Sequence, residues 1–284
     1  MTKTAKTGEY KTAPKARGAV LFGSLREFRS DFLGTLAGGF AEHGDIVRYR
    51  LGPRVVHAVA HPDFVHEVLV SRSREFLKPG RNIGVGLILG SGLVSNDDHE
   101  SWLRQRRMMQ PIFHRRRIAA LADEMTAAGD RLLSRWKEFA ATGRPVNVTE
   151  EMMRVTLEII THTMFGEDVS GEARKVGEAI RVASHFVTDR LQNPFALPLA
   201  VPTPSNRAFR RSRKLLDEIV YGFIRRRHSS GEKRGDLLDM LIEARDEETG
   251  EGMSEVQIRD EVLTIFAAGH ETTANALTWT WYLL

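Results

Sequence analysis

The sequence predicts a mainly α protein carrying one small β-hairpin, and three observations predict it. Apolar residues recur at helical spacing through most of the chain after residue 98. Two β-type runs, residues 45–51 and 54–59, flank the turn pair Gly52-Pro53. Finally, 42% hydrophobic against 27% charged residues is the balance of a packed globular chain rather than a disordered one.

Each element has its own signal. Residues 1–24 carry Lys3, Lys6, Lys11, Lys15 and Arg17 with no apolar run behind them. They read as a flexible leader on a cytoplasmic protein rather than a secretory signal, ending at Gly23-Ser24. Residues 25–284 then form one domain, with no internal repeat and no second boundary. Phe32, Leu33, Leu36 and Phe40 mark a first helix that Gly44 stops. After the hairpin, His61-Pro62-Asp63 opens a short helix, and the glycines at 80, 84, 86, 90 and 92 make residues 78–97 a loop.

The rest is helical. Ile118, Leu121, Met125, Leu132, Trp136 and Phe139 mark one long helix closed by Gly143; Met153, Leu157, Ile160 and Met164 mark the next, closed by Gly166. A third spans about residues 171–191. Pro194, Pro198, Pro202 and Pro204 interrupt with a stiff linker. Ser205 then caps a fourth long helix, and a short fifth covers residues 236–245. Ser254 and Gln257 form a capping box for the last helix, which runs to Leu284 and spans roughly 46 Å at about 1.5 Å per residue. Its final residues, Trp279, Trp281, Tyr282, Leu283 and Leu284, have no cap and no polar cover. They read as a cut end.

Composition excludes several chemistries. Without cysteine there is no disulfide, zinc-thiolate site, iron–sulfur cluster or cysteine nucleophile in these residues. The ten histidines show no metal-ligand spacing, so no metal site is expected. His270-Glu271 begins like a zinc-protease helix, but Ala274 stands where the second histidine belongs. The run Gly84-Val85-Gly86-Leu87-Ile88-Leu89-Gly90 is one residue too long for a dinucleotide fingerprint and no strand leads into it. No serine elbow or phosphate loop occurs. A formal net charge of +4 leaves nucleic acid an unsupported partner despite arginine clusters at 104–117 and 225–234. No run of about 18 apolar residues exists, so no membrane anchor is expected.

Two segments could carry chemistry. Ala267-Ala268-Gly269-His270-Glu271-Thr272 places a glycine mid-helix, at a cost of about 1 kcal/mol relative to alanine. Small residues there would admit a flat ligand against the backbone. The Thr272 hydroxyl can reach the Ala268 carbonyl, and Glu271 is an acid able to exchange protons beside it. Close helix packing with Glu271 in solvent accounts for the same pattern. Upstream, Trp102 and Arg106 stand four apart, an indole N–H beside a guanidinium that together could clamp a carboxylate. A half-buried tryptophan with a solvated arginine stacked on it would look the same.

Taken together these segments resemble the N-terminal portion of a cytochrome P450. Ala268-Gly269-His270-Glu271-Thr272-Thr273 looks like that family's oxygen-binding motif. Trp102-Leu103-Arg104-Gln105-Arg106 looks like its propionate-binding W-x-x-x-R, and the order of elements agrees. The resemblance implies a mainly α, incomplete P450-like fold and a haem-dependent monooxygenase that inserts one atom of O2 into a small apolar organic substrate. Trp102 and Arg106 would hold a haem propionate, Ala268 and Gly269 would lie against the porphyrin, and Glu271 and Thr272 would relay protons. The loop around residues 80–93 and the 192–205 segment would frame substrate entry. The arginines of 104–117 would dock an acidic electron-donor protein of the ferredoxin or flavoprotein type. The departure is the haem's thiolate ligand, which is absent from these residues. On this reading the chain is a distal half, inactive alone. The alternative is a non-catalytic helical protein that binds an apolar ligand or a partner chain.

Overall fold

Lys15 pairs with Arg48 alongside the hairpin, and the Ala16 amide bonds the Arg48 carbonyl at 3.0 Å. Ser24 in turn donates its amide to Arg50 at 2.8 Å. The structure, a computed structural model, describes residues 12–76, 78, 84–166, 170–193 and 196–284. Residues 14–24 therefore line strand β1 (Ile46–Leu51) and are not the tail of a free leader. The correction has a simple cause: an edge strand offers unpaired backbone groups, which a neighbouring segment satisfies without any apolar periodicity of its own. Lys3, Lys6 and Lys11 of the expected leader lie outside the described residues, as do Gly80 and Pro194.

The described residues fall into two compact units, where the sequence showed no second boundary: 12–76 with 189–193 and 196–197, and 78, 84–166 and 170–188 with 198–284. The first has its own small core. Helices α1 (Leu25–Ser30) and α2 (Phe32–His43) contribute Phe28, Leu36 and Phe40, and β1 contributes Val47 and Tyr49. Strand β1 pairs antiparallel with β2 (Arg54–Val59) from Ile46↔Val59 to Leu51↔Arg54, as the Gly-Pro turn predicts. Helix α3 (Pro62–His66) follows and runs into a π turn.

The second unit is helical. It opens with the single turn α4 (Gly86–Leu89), set inside the expected loop, and continues with α5 (His99–Met109), α6 (Arg115–Ala120) and α7 (Ala122–Thr142). The sequence predicts α6 and α7 as one helix; they separate at Leu121. Asp123 and Glu124 fall in the first turn of α7, where acidic side chains favour a new helix N-terminus, whereas 115–117 are all arginine. Helix α8 (Val148–Phe165) is capped by Asn147, whose side chain accepts the Glu150 amide at 3.3 Å, and Gly166 ends it. Helices α9 (Ser170–Gln192), α10 (Pro204–Ser230), α11 (Leu237–Glu243) and α12 (Glu255–Leu283) complete the fold. The cap of α10 is Thr203, not Ser205: its hydroxyl accepts the Asn206 amide at 3.1 Å, and Pro204 takes the first helical position, where its missing N–H costs nothing. The core packs Ile180, Phe186, Phe209, Leu216, Ile224, Leu241, Val262 and Phe266 from α9 to α12.

Candidate functional site

Helix α5 starts at Asp98, whose side chain accepts the Ser101 amide at 3.1 Å, and so sets Trp102 and Arg106 one turn apart. The Arg106 guanidinium carbon sits 5.3 Å from the centre of the indole ring. Lys78, which sequence spacing did not single out, brings its ammonium to 4.9 Å from the same ring. Neither cation has a carboxylate within ion-pair distance among the described residues. Desolvation of the Lys78 ammonium and the like charge of Arg106 hold its pKa below the ordinary lysine range.

The indole itself differs from the expected two-donor clamp. Its Nε1–H already donates to the Leu93 carbonyl at 3.1 Å, and Lys78 Nζ donates to the same oxygen at 2.7 Å. Buried Gln105, between Trp102 and Arg106 in sequence, staples this loop to α5. It accepts from Asn96 at 2.7 Å and donates to the Ser91 carbonyl at 3.0 Å. The motif therefore has a third polar member that the W-x-x-x-R spacing treats as arbitrary.

The same loop is tied to α12. The Ser91 amide donates to Asp260 Oδ2 at 2.8 Å, and the Leu93 amide to Glu261 Oε2 at 3.1 Å. Arg259 bonds the Ile88 carbonyl at 3.1 Å and Asp217 at 2.7 Å. Gly92 makes this approach possible, since a side chain there would meet the Asp260 carbonyl oxygen at 2.8 Å. Gly90 and Gly92 thus serve loop-to-helix contact. Glu261 is 0% exposed, and burial pushes its carboxyl up to about 7, against the Leu93 amide and the more distant Lys78, with Asp260 adding to the rise.

Further along α12, Thr272 Oγ1 donates to the Ala268 carbonyl at 2.5 Å, the back-bond the sequence suggested. Ala268, Glu271 and Thr272 are all exposed. Gly269 and His270 turn to α8 instead. A methyl on Gly269 would stand 3.3 Å from Ile160, and His270 donates from Nε2 to the Met153 carbonyl at 3.2 Å. Burial lowers the His270 pKa, which the carbonyl only partly offsets. One side of the segment packs closely on α8, and on the other Ala268, Glu271 and Thr272 are exposed, with the Thr272 hydroxyl held by the Ala268 carbonyl. Ala268 and Thr272, at i+7 and i+11 from Glu261, fall about 20° to either side of it around the axis. The helix face that takes the Leu93 amide is the face that carries Ala268 and Thr272.

The arginine clusters divide. Arg104 pairs with Glu251 at 3.1 Å, and Arg107 with Glu248 at 2.8 Å and Asp246 at 3.2 Å. Arg115, Arg116 and Arg117 are exposed and form no ion pair among the described residues. Arg227 is buried against Asp236 and Asp239. Among the described residues no group of three or more His, Asp or Glu side chains could hold a metal ion, and no helix is long and apolar enough to cross a membrane.

Two cations beside an indole are thus tied by one loop to a helix with an exposed Ala–Thr back-bond. The cytochrome P450 family model matches residues 14–284. The chain belongs to the cytochrome P450 family. It is 35% identical to cyclooctatin synthase of Streptomyces melanosporofaciens over 257 residues, 85% of this chain and 52% of that protein. It is 34% identical over 251 residues to cyclooctat-9-en-7-ol 5-monooxygenase of the same organism, again 85% and 52%. Against pentalenene oxygenase of Streptomyces avermitilis the identity is 32% over 246 residues, 85% and 53%. The chain spans about half the length of these curated relatives.

Proposed function

We propose that this chain supplies the distal side of a haem-dependent monooxygenase that inserts one atom of O2 into an apolar organic substrate. The observation that carries the reading is the shared α12 face: Ala268 and Thr272 lie on the side that Glu261 and Leu93 link to Trp102. The residues present fit a flat ligand with an acidic edge. Lys78 and Arg106 are two cations with no acidic partner among the described residues, and Ala268 and Thr272 put only small side chains on their exposed turn of α12.

Arg106 and Lys78 would hold a propionate by charge, with Trp102 as the platform that orients both. Ala268 would leave room for the ring and for O2, and Gly269 would let α12 approach α8 closely enough to hold that face in place. When bound, haem supplies the reductive activation of dioxygen. Thr272 can release the Ala268 carbonyl and turn its hydroxyl outward, and Glu271, in solvent, can carry protons to it. These 284 residues contain no cysteine, so the reading assigns them the distal face and not the thiolate ligand.

The relatives' names support a substrate with few polar groups, since cyclooctat-9-en-7-ol and pentalenene are alkenes by name. Exposed Arg115, Arg116 and Arg117 are the arginines left to dock an acidic electron-donor protein, because Arg104 and Arg107 are spent on local acids. The domain on this reading starts at or before residue 14, with the protein acting in the cytoplasm.

Hemin titration tests the assignment. The expected result is an absorption change that weakens in R106Q and again in the R106Q/K78Q pair, without a thiolate-type carbon monoxide difference spectrum. A titration indifferent to both substitutions would overturn the clamp.

A further inference from the structure

Glu261 is a fully buried charge-bearing group for which the chemistry above has no use. Its Oε2 accepts the Leu93 amide, and its Oε1 is buried with no hydrogen-bond partner among the described residues. A buried carboxyl half-satisfied in this way is costly unless it does something the fold needs.

What it holds is one peptide residue with three polar neighbours. The Leu93 N–H goes to Glu261, and the Leu93 carbonyl takes Trp102 Nε1–H and Lys78 Nζ. The Leu93 N–H and carbonyl belong to adjacent planar peptide groups joined at one Cα, so fixing the first restricts where the second can point. A charged acceptor shortens and strengthens the bond it receives. Trp102 and Lys78 take their positions from this carbonyl, so whatever fixes Leu93 fixes the clamp.

We propose that Glu261 is the positioning residue of the anion clamp, acting through Leu93 on Trp102 and Lys78 from two turns before Ala268 on the same helix face. The proposal rests on the clamp reading of Trp102, Arg106 and Lys78 given above. It adds that the two motifs, far apart in sequence, are mechanically joined by a buried acid that belongs to neither.

The charged and titratable groups facing this junction come from each element packed on it. Asp260 is on α12 itself, bonded to Ser91 and Arg259; Lys78 reaches in from the loop; and Arg106 and His99 come from α5, His99 stacked on the indole with ring centres 6.0 Å apart. With burial having moved the Glu261 carboxyl toward neutrality, its ionisation is accessible in solution.

The test is a pH titration of the 284-residue protein by 1H–15N NMR, with 15N-leucine and 15N-tryptophan labelling. Only four indole cross-peaks arise from four tryptophans, and W102F assigns the relevant one. The expected result is that the Leu93 amide moves downfield as pH rises through neutrality and that the Trp102 indole follows with the same midpoint. In E261Q, which keeps an acceptor for Leu93 but no charge, both titrations vanish. A titration of the indole that persists in E261Q would overturn the proposal, as would a Leu93 amide indifferent to pH in the unsubstituted protein. The clamp reading fails separately: R106Q leaving hemin binding unchanged would sink the clamp whether or not Leu93 titrates.

Discussion

Gly92 lies against the Thr264 side chain so closely that no methyl group fits between them, with the Asp260 carbonyl closing the same gap at 2.8 Å. One wall is helix backbone and cannot turn aside. Gly92→Ala should therefore destabilise the protein by about 1–3 kcal/mol, the usual cost of overpacking. Gly129, mid-helix in α7, faces nothing within 4 Å, and Gly129→Ala should stabilise by roughly 0.5–1 kcal/mol. Urea midpoints of the two variants should move in opposite directions.

The contrast shows which parts of the fold were legible beforehand. Helices with periodic faces and capping signals could be read directly: Gly44, Gly143 and Gly166 end helices where expected, and Ser254–Gln257 forms its box. Residues 14–24 could not be read, because they pair through backbone atoms that every residue has. The break at Leu121 leaves no mark either, because apolar spacing runs on across it. In the candidate site, the pairs Trp102/Arg106 and Ala268/Thr272 are each visible as an i, i+4 spacing within a single helix. Lys78, Gln105 and Glu261 are not. Each acts across a tertiary contact to a loop, and Glu261 sits 168 residues from the Leu93 amide it accepts. No local period encodes that.

Arg227 should govern the acid limb of stability. It bonds Asp236 at 2.7 and 2.6 Å, contacts Asp239, and reaches the Phe165 carbonyl at 3.1 Å, all buried. Burial pushes the Asp239 carboxyl up, but the Arg227 hydrogen bond and the Gly235 and Arg234 amides together outweigh it and hold its pKa below the ordinary range. For an acid lowered on folding, the stabilisation is full above the unfolded pKa and is lost as pH falls through the folded value. Arg227→Met strands two buried carboxylates and should cost about 3–5 kcal/mol at pH 7. Its acid unfolding, followed by circular dichroism, should begin at a higher pH than that of the unsubstituted protein.

Thr272→Ala should leave stability almost untouched. The hydroxyl makes one back-bond at an exposed position, and alanine is the better helix former. A change within about 0.5 kcal/mol is expected by thermal denaturation. Any effect of the substitution on proton handling or ligand spectra can then be read without a folding correction. A loss of several kcal/mol would mean that the hydroxyl braces α12.

Glu261 and His270 bend the stability curve in opposite senses near neutral pH. Glu261 is raised on folding from 4.5 to about 7, so between those values the folded protein holds more protons than the unfolded chain. Stability therefore falls as pH climbs from about 4.5 to about 7 and is level above, a loss on the order of 3 kcal/mol. His270 is lowered from 6.5 by burial, so its contribution rises as pH climbs toward that value. Neither slope is visible alone in the intact protein. The difference between unsubstituted and E261Q denaturation midpoints isolates the first. Relative to E261Q, the unsubstituted protein should lose stability between pH 5 and pH 8, whereas parallel curves would mean that Glu261 is already ionised throughout and that the buried oxygen has found a partner.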